Sequence, residues 1–191
     1  MSNNLAENLF IITAPSGAGK TTLIKNIIKF SEVNDEKVFM SISHTTRTPR
    51  ANELHASDYF FISEEEFKLN IDAGVYLEHA LVHGNLYGTP KKAIDDHLHD
   101  EHKVLLEIDW QGAMEILKAY PEAQSIFISP PSIEELDKRL RDRGLDSEEV
   151  IAKRVEGAKL EMEKSSEFKH QIINNSLETA LKNLLNIIFR E

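Results

Sequence analysis

The stretch that most constrains the fold of this chain lies near its N-terminus, where an apolar run leads directly into a glycine-rich turn. Residues 9–13 read LFIIT, and residues 14–21 read APSGAGKT. Behind the turn, apolar residues recur at helical spacing: Leu23, Ile24, Ile27 and Ile28. A strand, a glycine turn and a helix in this order form a cradle for phosphate. Glycine lets backbone N–H groups approach the anion, and the N-terminus of the helix favours negative charge.

Individual positions in this turn carry the chemistry that phosphate binding needs. Lys20 is placed to reach the terminal phosphates of a nucleotide, and the hydroxyl of Thr21 is placed to ligate Mg²⁺. The usual pattern begins with glycine, whereas this chain has Ala14. The alternative is a glycine-rich turn that only joins a strand to a helix, but the elements on either side favour phosphate binding. The predicted phosphate contacts are Ala14, Pro15, Ser16, Gly17, Ala18, Gly19, Lys20, Thr21 and Thr22.

Short apolar runs alternate with helical patterns along the chain. The expected strands are Leu9–Thr13, Phe39–Ser43, Val104–Asp109, Ser125–Ser129 and Gln171–Asn174. Strands that are apolar on both faces and separated by helices imply a parallel sheet covered on both sides. The predicted fold class is therefore α/β, a parallel five-stranded sheet with helices on both faces. We expect a single domain over residues 1–191, with a core formed by residues 1–43, 91–131 and 165–191.

Two stretches break this rhythm. Residues 44–90 are rich in turn residues and contain alternating patterns such as Asp58-Tyr59-Phe60-Phe61-Ile62, which indicates a small mixed β insertion. Residues 132–164 are charged and helical, and Ser132 with Glu135 forms a capping box at the start of a helix. We interpret the second stretch as a helical arm or lid.

Charge and composition disfavour several classes of protein. The net charge is −10 and there are no cysteines, which argues against a general nucleic-acid binder, a disulfide framework and a thiolate metal site. The N-terminus lacks the basic and apolar segments of a secretory signal, and no apolar run approaches the length of a membrane span. We expect a cytoplasmic protein whose cations are gathered where an anion binds.

Two further motifs carry polar groups that suit nucleotide chemistry. In LLEIDWQG, Glu107 and Asp109 alternate with apolar residues and point to the same side of a strand end, where a carboxylate can orient Mg²⁺. Arg47 and Arg50 lie among serines and threonines, and guanidinium groups bind a phosphate monoester through paired hydrogen bonds. The alternative for LLEIDWQG is that its acids are simply exposed at a strand end. The alternative for the arginine loop is a polar loop whose arginines are solvated. The arginine loop by itself does not decide between the two interpretations.

In combination, these motifs resemble the guanylate kinases, P-loop nucleoside monophosphate kinases that transfer the γ-phosphoryl group of ATP to GMP. The resemblance runs in the family's order through nearly the whole chain: APSGAGKT, SHTTRTPR, DYFF, YLEHALVHGNLYGTP, LLEIDWQG, RLRDRG and KRVEGA. Each motif alone is weak, whereas the combination is specific. It implies ATP as co-substrate with Mg²⁺, and GMP and dGMP as acceptors. It also implies a P-loop NTPase core, a GMP-binding insertion at 44–90 and a closing lid at 132–164.

The resemblance implies roles for single residues. The residues that hold the GMP phosphate are Arg47, Arg50, Tyr59 and Tyr87. The residues that read guanine are Ser43, Glu78 and Thr89. A carboxylate suits the N1–H and N2–H₂ donors of guanine, which adenine lacks. The acids between the two nucleotides are Glu107 and Asp109. The catalytic set is Lys20, Arg47, Asp109, Arg139, Arg143 and Arg154, of which the last three would neutralise charge on the transferred group.

The chain departs from the family pattern at two places. After Arg50 the family has Pro-Gly-Glu, whereas this chain has Ala51-Asn52-Glu53, which we expect to make the loop more flexible. Before the last strand, Phe168-Lys169-His170-Gln171 lacks an acid that is common in the family. We therefore assign the contact with adenine to Asn174, at the end of that strand.

Two other functions fit the same motifs. One is a kinase of this architecture with another acceptor, such as AMP or a pyrimidine nucleotide, which the proposed guanine-reading residues disfavour. The other is a guanylate-kinase-like module that binds phosphopeptides without catalysis, which the complete Gly19-Lys20-Thr21 disfavours. The expected partners are GMP and ATP, with no nucleic acid and no membrane, and the sequence leaves a homo-oligomer open.

Overall fold

A computed structural model describes residues 5–51, 53–82, 84–144 and 146–190. The strands are β1 (Leu9–Thr13), β2 (Val38–Ser41), β3 (His44–Thr45), β4 (Phe60–Phe61), β5 (Tyr76–Val82), β6 (Asn85–Pro90), β7 (Lys103–Glu107), β8 (Gln124–Ser129) and β9 (His170–Ile173). The helices are α1 (Lys20–Val33), α2 (Glu64–Asp72), α3 (Lys91–His99), α4 (Trp110–Ala119), α5 (Ile133–Asp142), α6 (Glu148–Glu163) and α7 (Leu177–Phe189).

The main sheet has five parallel strands in the order β2-β7-β1-β8-β9. All five residues of the central β1 are buried, and successive side chains of a strand point to opposite faces. Phe10 and Ile12 therefore lie in an apolar cluster with α1 and α7, while Leu9 and Ile11 lie in a second cluster with α3 and α4. Helices thus cover both faces, and the predicted α/β fold class is confirmed.

The predicted strands match the observed ones to within one or two residues. The largest differences are at the C-terminal ends of β2 and β7, which end at Ser41 and Glu107 instead of Ser43 and Asp109. Asp109 lies outside its strand because its side chain accepts hydrogen bonds from the backbone N–H groups that open α4. The competing helix cap therefore ends this strand early.

A second, smaller sheet has the order β4-β3-β6-β5, and all of its strands come from residues 44–90. The pairing is mixed, because β3 is parallel to β4 but antiparallel to β6. Ser63 caps α2 by accepting a hydrogen bond from the backbone N–H of Glu66 at 3.1 Å. The small mixed β insertion is therefore present as predicted.

Helices α5 and α6 form the arm, and they have an apolar cluster of their own. Leu136 and Leu140 of α5 pack with Ile151 and Ala158 of α6, and all four are buried. The side chain of Ser132 caps α5 as the sequence predicts, accepting from the backbone N–H of Glu135 at 3.2 Å. In the part of the chain that the structure describes, no helix is both long and apolar enough to cross a membrane.

Candidate active site

The glycine-rich turn joins β1 to α1 in a conformation that only glycine adopts readily. Gly17 and Gly19 both have φ of +94°, in the left-handed region. A Cβ at Gly17 would lie 3.0 Å from the side chain of Leu140, so the arm packs directly on the turn. A Cβ at Gly19 would lie 2.5 Å from the side-chain nitrogen of Asn174. Leu140 and Asn174 therefore pack closely against the turn from two sides, and they can do so because Gly17 and Gly19 have no side chain.

Asn174 supports the phosphate loop from beneath. It is buried, its side-chain amide donates a hydrogen bond to the carbonyl of Ala18 at 2.7 Å, and its backbone N–H donates to Ser129 at 2.8 Å. Its contact with adenine stays a prediction, whereas its contact with the loop is a feature that the sequence analysis missed.

Gly19→Ala is expected to destabilise the fold as well as the loop. The left-handed conformation costs a residue with a Cβ about 1–3 kcal/mol, and the contact with Asn174 adds to this. For a chain of this size we expect Tm to fall by roughly 4 °C or more. Thermal unfolding followed by circular dichroism measures the effect, with Gly157→Ala as the control, because a Cβ at Gly157 meets nothing within 4 Å. Equal Tm values for the two variants would contradict this description of the loop.

Lys20 and Thr21 are held by the end of β7. The hydroxyl of Thr21 donates to Glu107 Oε1 at 2.9 Å. Lys20 Nζ donates to the carbonyl of Ile108 at 3.3 Å and lies 3.9 Å from Glu107 Oε1. The hydroxyl and carboxylate oxygens are ligands of the kind that Mg²⁺ prefers. Among the described residues, no group of three or more acidic, histidine or cysteine side chains could hold a metal ion.

Asp109 lines the cleft, as Glu107 does. Its Oδ1 accepts hydrogen bonds from the backbone N–H groups of Gln111 at 2.7 Å and Gly112 at 3.1 Å. Asp109 is therefore fixed in position as the N-cap of α4, with its carboxylate at the cleft.

Glu53 holds the two arginines of the predicted acceptor site. Arg47 donates to Glu53 Oε1 at 2.9 Å and to the hydroxyl of Tyr87 at 3.2 Å, and Arg50 donates to Glu53 Oε1 at 3.3 Å. Burial alone would raise the pKa of Glu53, but the hydrogen bond from Arg47 and the contacts with Arg50 bring it below its ordinary value. Burial also raises the pKa of Tyr59. Residue Asn52 of this loop lies outside the described residues.

The three predicted guanine-reading residues are all buried, and Ser43 and Glu78 line the same cleft. Ser43, Glu78 and Thr89 are 8%, 8% and 0% exposed. Glu78 and Thr89 are neighbours across β5 and β6, and the threonine hydroxyl donates to Glu78 Oε1 at 2.5 Å. The other carboxylate oxygen lies against α4, where a Cβ at Gly112 would meet it at 2.7 Å.

The environment of Glu78 favours its protonated form. Burial raises its pKa to about 7, the hydrogen bond from Thr89 opposes the rise, and the nearby charges of Asp109 and Glu115 add to it. Among the described residues, Thr89 is the hydrogen-bond donor to this carboxylate, which has capacity for further donors and is therefore suited to receive N–H groups from a ligand.

Of the arginines in the arm, Arg143 and Arg154 line the cleft, whereas Arg139 and Arg141 do not. Arg154 donates to the hydroxyl of Ser16 at 2.6 Å, and Arg143 also lines the cleft. Arg139 faces the other side of the loop, where it donates to Glu135 at 3.0 Å and to the carbonyl of Asn174 at 3.1 Å. Arg141 is exposed and paired with Asp137 and Glu148, as expected for a surface residue.

Glu161 is a cleft residue that the sequence analysis missed. It lies seven residues after Arg154 on α6, and this spacing places both on one face of the helix. Burial raises its pKa to about 7; Lys20 opposes the rise and Asp109 adds to it. The heptad spacing from Arg154 was the available signal, but it required knowing that this face of the arm points into the cleft.

One cleft of about 400 Å³ brings most of these groups together. Its lining comprises Ala14, Pro15, Ser16, Gly17, Gly19, Lys20, Thr21, Thr22, Ser43, Arg50, Tyr59, Glu78, Val82, Tyr87, Glu107, Ile108, Asp109, Arg143, Arg154 and Glu161. The predicted site residues outside the lining are Ala18, Arg47, Thr89, Arg139 and Asn174. Arg47 and Thr89 contact the lining residues Tyr87 and Glu78, and Asn174 contacts Ala18 and Arg139. The arrangement juxtaposes a phosphate-binding loop with a buried carboxylate and paired arginines, as a transfer between two nucleotides requires.

Comparison with known proteins identifies the family. The family model described as guanylate kinase matches residues 6–191. The chain is 50% identical over 183 residues to the guanylate kinases of Escherichia coli (strain K12) and Salmonella typhimurium (strain LT2), a match that covers 96% of this chain and 87% of each relative. A crystal structure of guanylate kinase from Anaplasma phagocytophilum is 32% identical, covers 95% of this chain and 84% of that chain, and has a TM-score of 0.77. The resemblance read from the motifs is therefore confirmed, and the chain belongs to the guanylate kinase family.

Proposed function

We propose that the protein transfers the γ-phosphoryl group of ATP to GMP, and to dGMP, giving the nucleoside diphosphate and ADP. The observation that carries this proposal is the shared cleft, which the phosphate loop, the buried carboxylate of Glu78 and Arg50 of the acceptor loop all line. We further propose a cytoplasmic role in purine nucleotide metabolism. We retain the division into a core, an acceptor subdomain at 44–90 and a lid at 132–164, which the two separate sheets and the separate apolar cluster of the arm support.

The donor side would bind ATP through the loop and Lys20. Backbone N–H groups at the start of α1 and the ammonium group face the phosphates. Thr21 and Glu107 would hold Mg²⁺, which when bound supplies positive charge to the transferred group. Lys20 already lies in the cleft with contacts to Ile108 and Glu107, so ATP phosphates need only replace those contacts.

The acceptor side would bind the GMP phosphate through Arg47, Arg50, Tyr59 and Tyr87. In the structure, Glu53 forms ion pairs with both Arg47 and Arg50. It thereby holds the two guanidinium groups close together before a phosphate binds. Ionised Glu78 would accept the N1–H and N2–H₂ donors of guanine, while Thr89 fixes the orientation of its carboxylate. A GMP phosphate oxygen could then attack the γ-phosphorus in line, without a covalent intermediate on the protein.

The arm would complete the site and exclude water, which would otherwise hydrolyse ATP. Arg143 and Arg154 are the arm arginines that line the cleft, and we propose that they neutralise charge on the transferred group. We propose that Arg139 acts from behind the loop, through its contact with the carbonyl of Asn174.

The KM for GMP is expected to rise as the pH falls below about 7. Guanine donors require ionised Glu78, whereas burial gives this group a pKa of about 7 in the free protein, so at lower pH GMP binding must first release a proton. Between pH 8 and pH 6 we expect a rise of about tenfold. The phosphate of GMP titrates near the same range. The control is therefore Glu78→Gln, which should lose the part of the pH dependence that belongs to Glu78. Identical pH profiles for the two proteins would contradict the assignment.

Formation of ADP from ATP and Mg²⁺ tests the proposed reaction, measured with GMP, dGMP, AMP, CMP, UMP and dTMP in separate assays. Turnover with GMP and dGMP alone is expected. Turnover with another acceptor would overturn the guanine assignment. Folded protein that binds GMP but forms no ADP with any nucleotide would point to a binding module.

A further inference from the structure

Asp146 lies in the turn between α5 and α6, directly before Ser147, whose side chain caps α6. Its Oδ1 lies 3.2 Å from a terminal nitrogen of Arg154, and the side chains of the aspartate and the arginine are only 14% and 20% exposed. The sequence analysis did not single out Asp146, because an acid in a charged arm is ordinarily a solvated surface group.

The guanidinium group of Arg154 connects the arm to the phosphate loop. Nη1 donates to the hydroxyl of Ser16 at 2.6 Å, while Nη2 faces Asp146. The two ends of one rigid planar group are thus held by different partners, and fixing Nη2 directs Nη1 towards the loop.

Burial and neighbouring positive charges disfavour a charged guanidinium group at the position of Arg154. Burial lowers the pKa of Arg154, Asp146 raises it, and the positive charges of Arg50 and Arg143 lower it further. Both of these arginines line the same cleft. Within the described chain, Asp146 is the carboxylate that forms an ion pair with Arg154, and it offsets the repulsion among the three guanidinium groups.

The second carboxylate oxygen of Asp146 is unusual. Oδ2 is buried and has no hydrogen-bond partner among the described residues. A buried polar atom without a partner destabilises a fold, so a carboxylate at this position needs a compensating role. Its contact with Arg154 supplies that role.

We propose that Asp146 is a positioning residue for the phosphoryl transfer, holding Nη2 of Arg154 so that Nη1 points at the phosphates on the loop. This inference rests on the proposed kinase function. Asp146 touches neither nucleotide in this scheme, and it acts through Arg154.

Asp146→Asn keeps the shape of the side chain and removes its charge. We expect kcat to fall about tenfold or more, as for loss of a charge-assisted hydrogen bond, with KM for GMP changed less than about twofold because the acceptor site is untouched. Asp142→Asn is the matched control, an exposed acid of the same arm, and should behave as wild type. A wild-type kcat for Asp146→Asn would overturn the proposal.

A double-mutant cycle separates positioning from a merely structural role. In an Arg154→Ala background, Asp146→Asn is expected to change kcat less than about twofold, because its target is gone. An equal loss in both backgrounds would show that Asp146 acts without Arg154 and would overturn the proposal.

Asp146→Glu supplies a second check if the asparagine variant folds poorly. Because it keeps the charge, it should retain more activity than Asp146→Asn, and lower activity would contradict the ion-pair role. Wild-type protein that forms no ADP with GMP would instead refute the proposed function, so the two failures are distinguishable.

Discussion

Lys20→Ala is expected to lower kcat by about 10³-fold and to leave the affinity for GMP nearly unchanged. In the proposed reaction, the ammonium group of Lys20 neutralises charge on the transferred group, and that charge grows in the transition state. In the proposed site, GMP binds through Glu78 and the arginines held by Glu53, and Lys20 touches none of them. The measurement is kcat from steady-state turnover, with the Kd for GMP from calorimetry.

Lys25→Ala is the matched control for this prediction, because Lys25 is exposed on the same helix. It should retain wild-type kcat. If Lys20→Ala kept more than about a tenth of the wild-type kcat, the assignment of residues 14–21 as the donor phosphate site would be wrong.

Glu78→Gln is expected to reduce kcat/KM for GMP by about 10²- to 10⁴-fold. A glutamine can accept one guanine donor, but its own NH₂ group then faces the other donor at a position that is only 8% exposed. The ratio of kcat/KM for GMP over AMP should fall by a similar factor. Glu115→Gln is the control, because this exposed acid lies near Glu78 and contacts no predicted substrate position. An unchanged GMP to AMP ratio would remove Glu78 from the guanine site.

Glu78→Gln is expected to lower activity but to raise stability at alkaline pH. The pKa of Glu78 is about 7 in the folded protein, against an ordinary value of 4.5, so the folded state binds the proton more tightly. The stability that this proton contributes is complete below about pH 4.5 and is lost as the pH rises through 7. Glu78→Gln is permanently neutral and should therefore have a higher free energy of unfolding than wild type at pH 8, as measured by urea unfolding. A lower value at pH 8 would contradict the burial argument.

Local patterns predicted the elements that local chemistry determines. The run LFIIT followed by glycines and an amphipathic helix predicts β1, the phosphate loop and α1, because each signal lies within a few residues of the next. Ser132 marks a helix start for the same reason. The end of β7 was misplaced because the cap formed by Asp109 competes with continuation of the strand.

Contacts between distant segments explain what the sequence could not predict. Asn174 lies beneath the loop more than 150 residues away along the chain, as its bond to Ala18 shows. Glu53 was read only as part of an altered loop, yet it holds both acceptor arginines. Glu161 and Asp146 belong to a charged arm that packs on the phosphate loop, where Glu161 lines the cleft and Asp146 pairs with Arg154. These roles depend on tertiary packing, which residue spacing does not encode.

The most direct test of the account follows the terminal phosphate of ATP. The protein would be incubated with ATP labelled in the γ-phosphate, Mg²⁺ and GMP, and the labelled species would then be separated. The account predicts that the label passes to GDP in a one-to-one ratio with the ADP formed. Label found in inorganic phosphate or attached to the protein, in place of GDP, would contradict direct transfer between two nucleotides in this cleft.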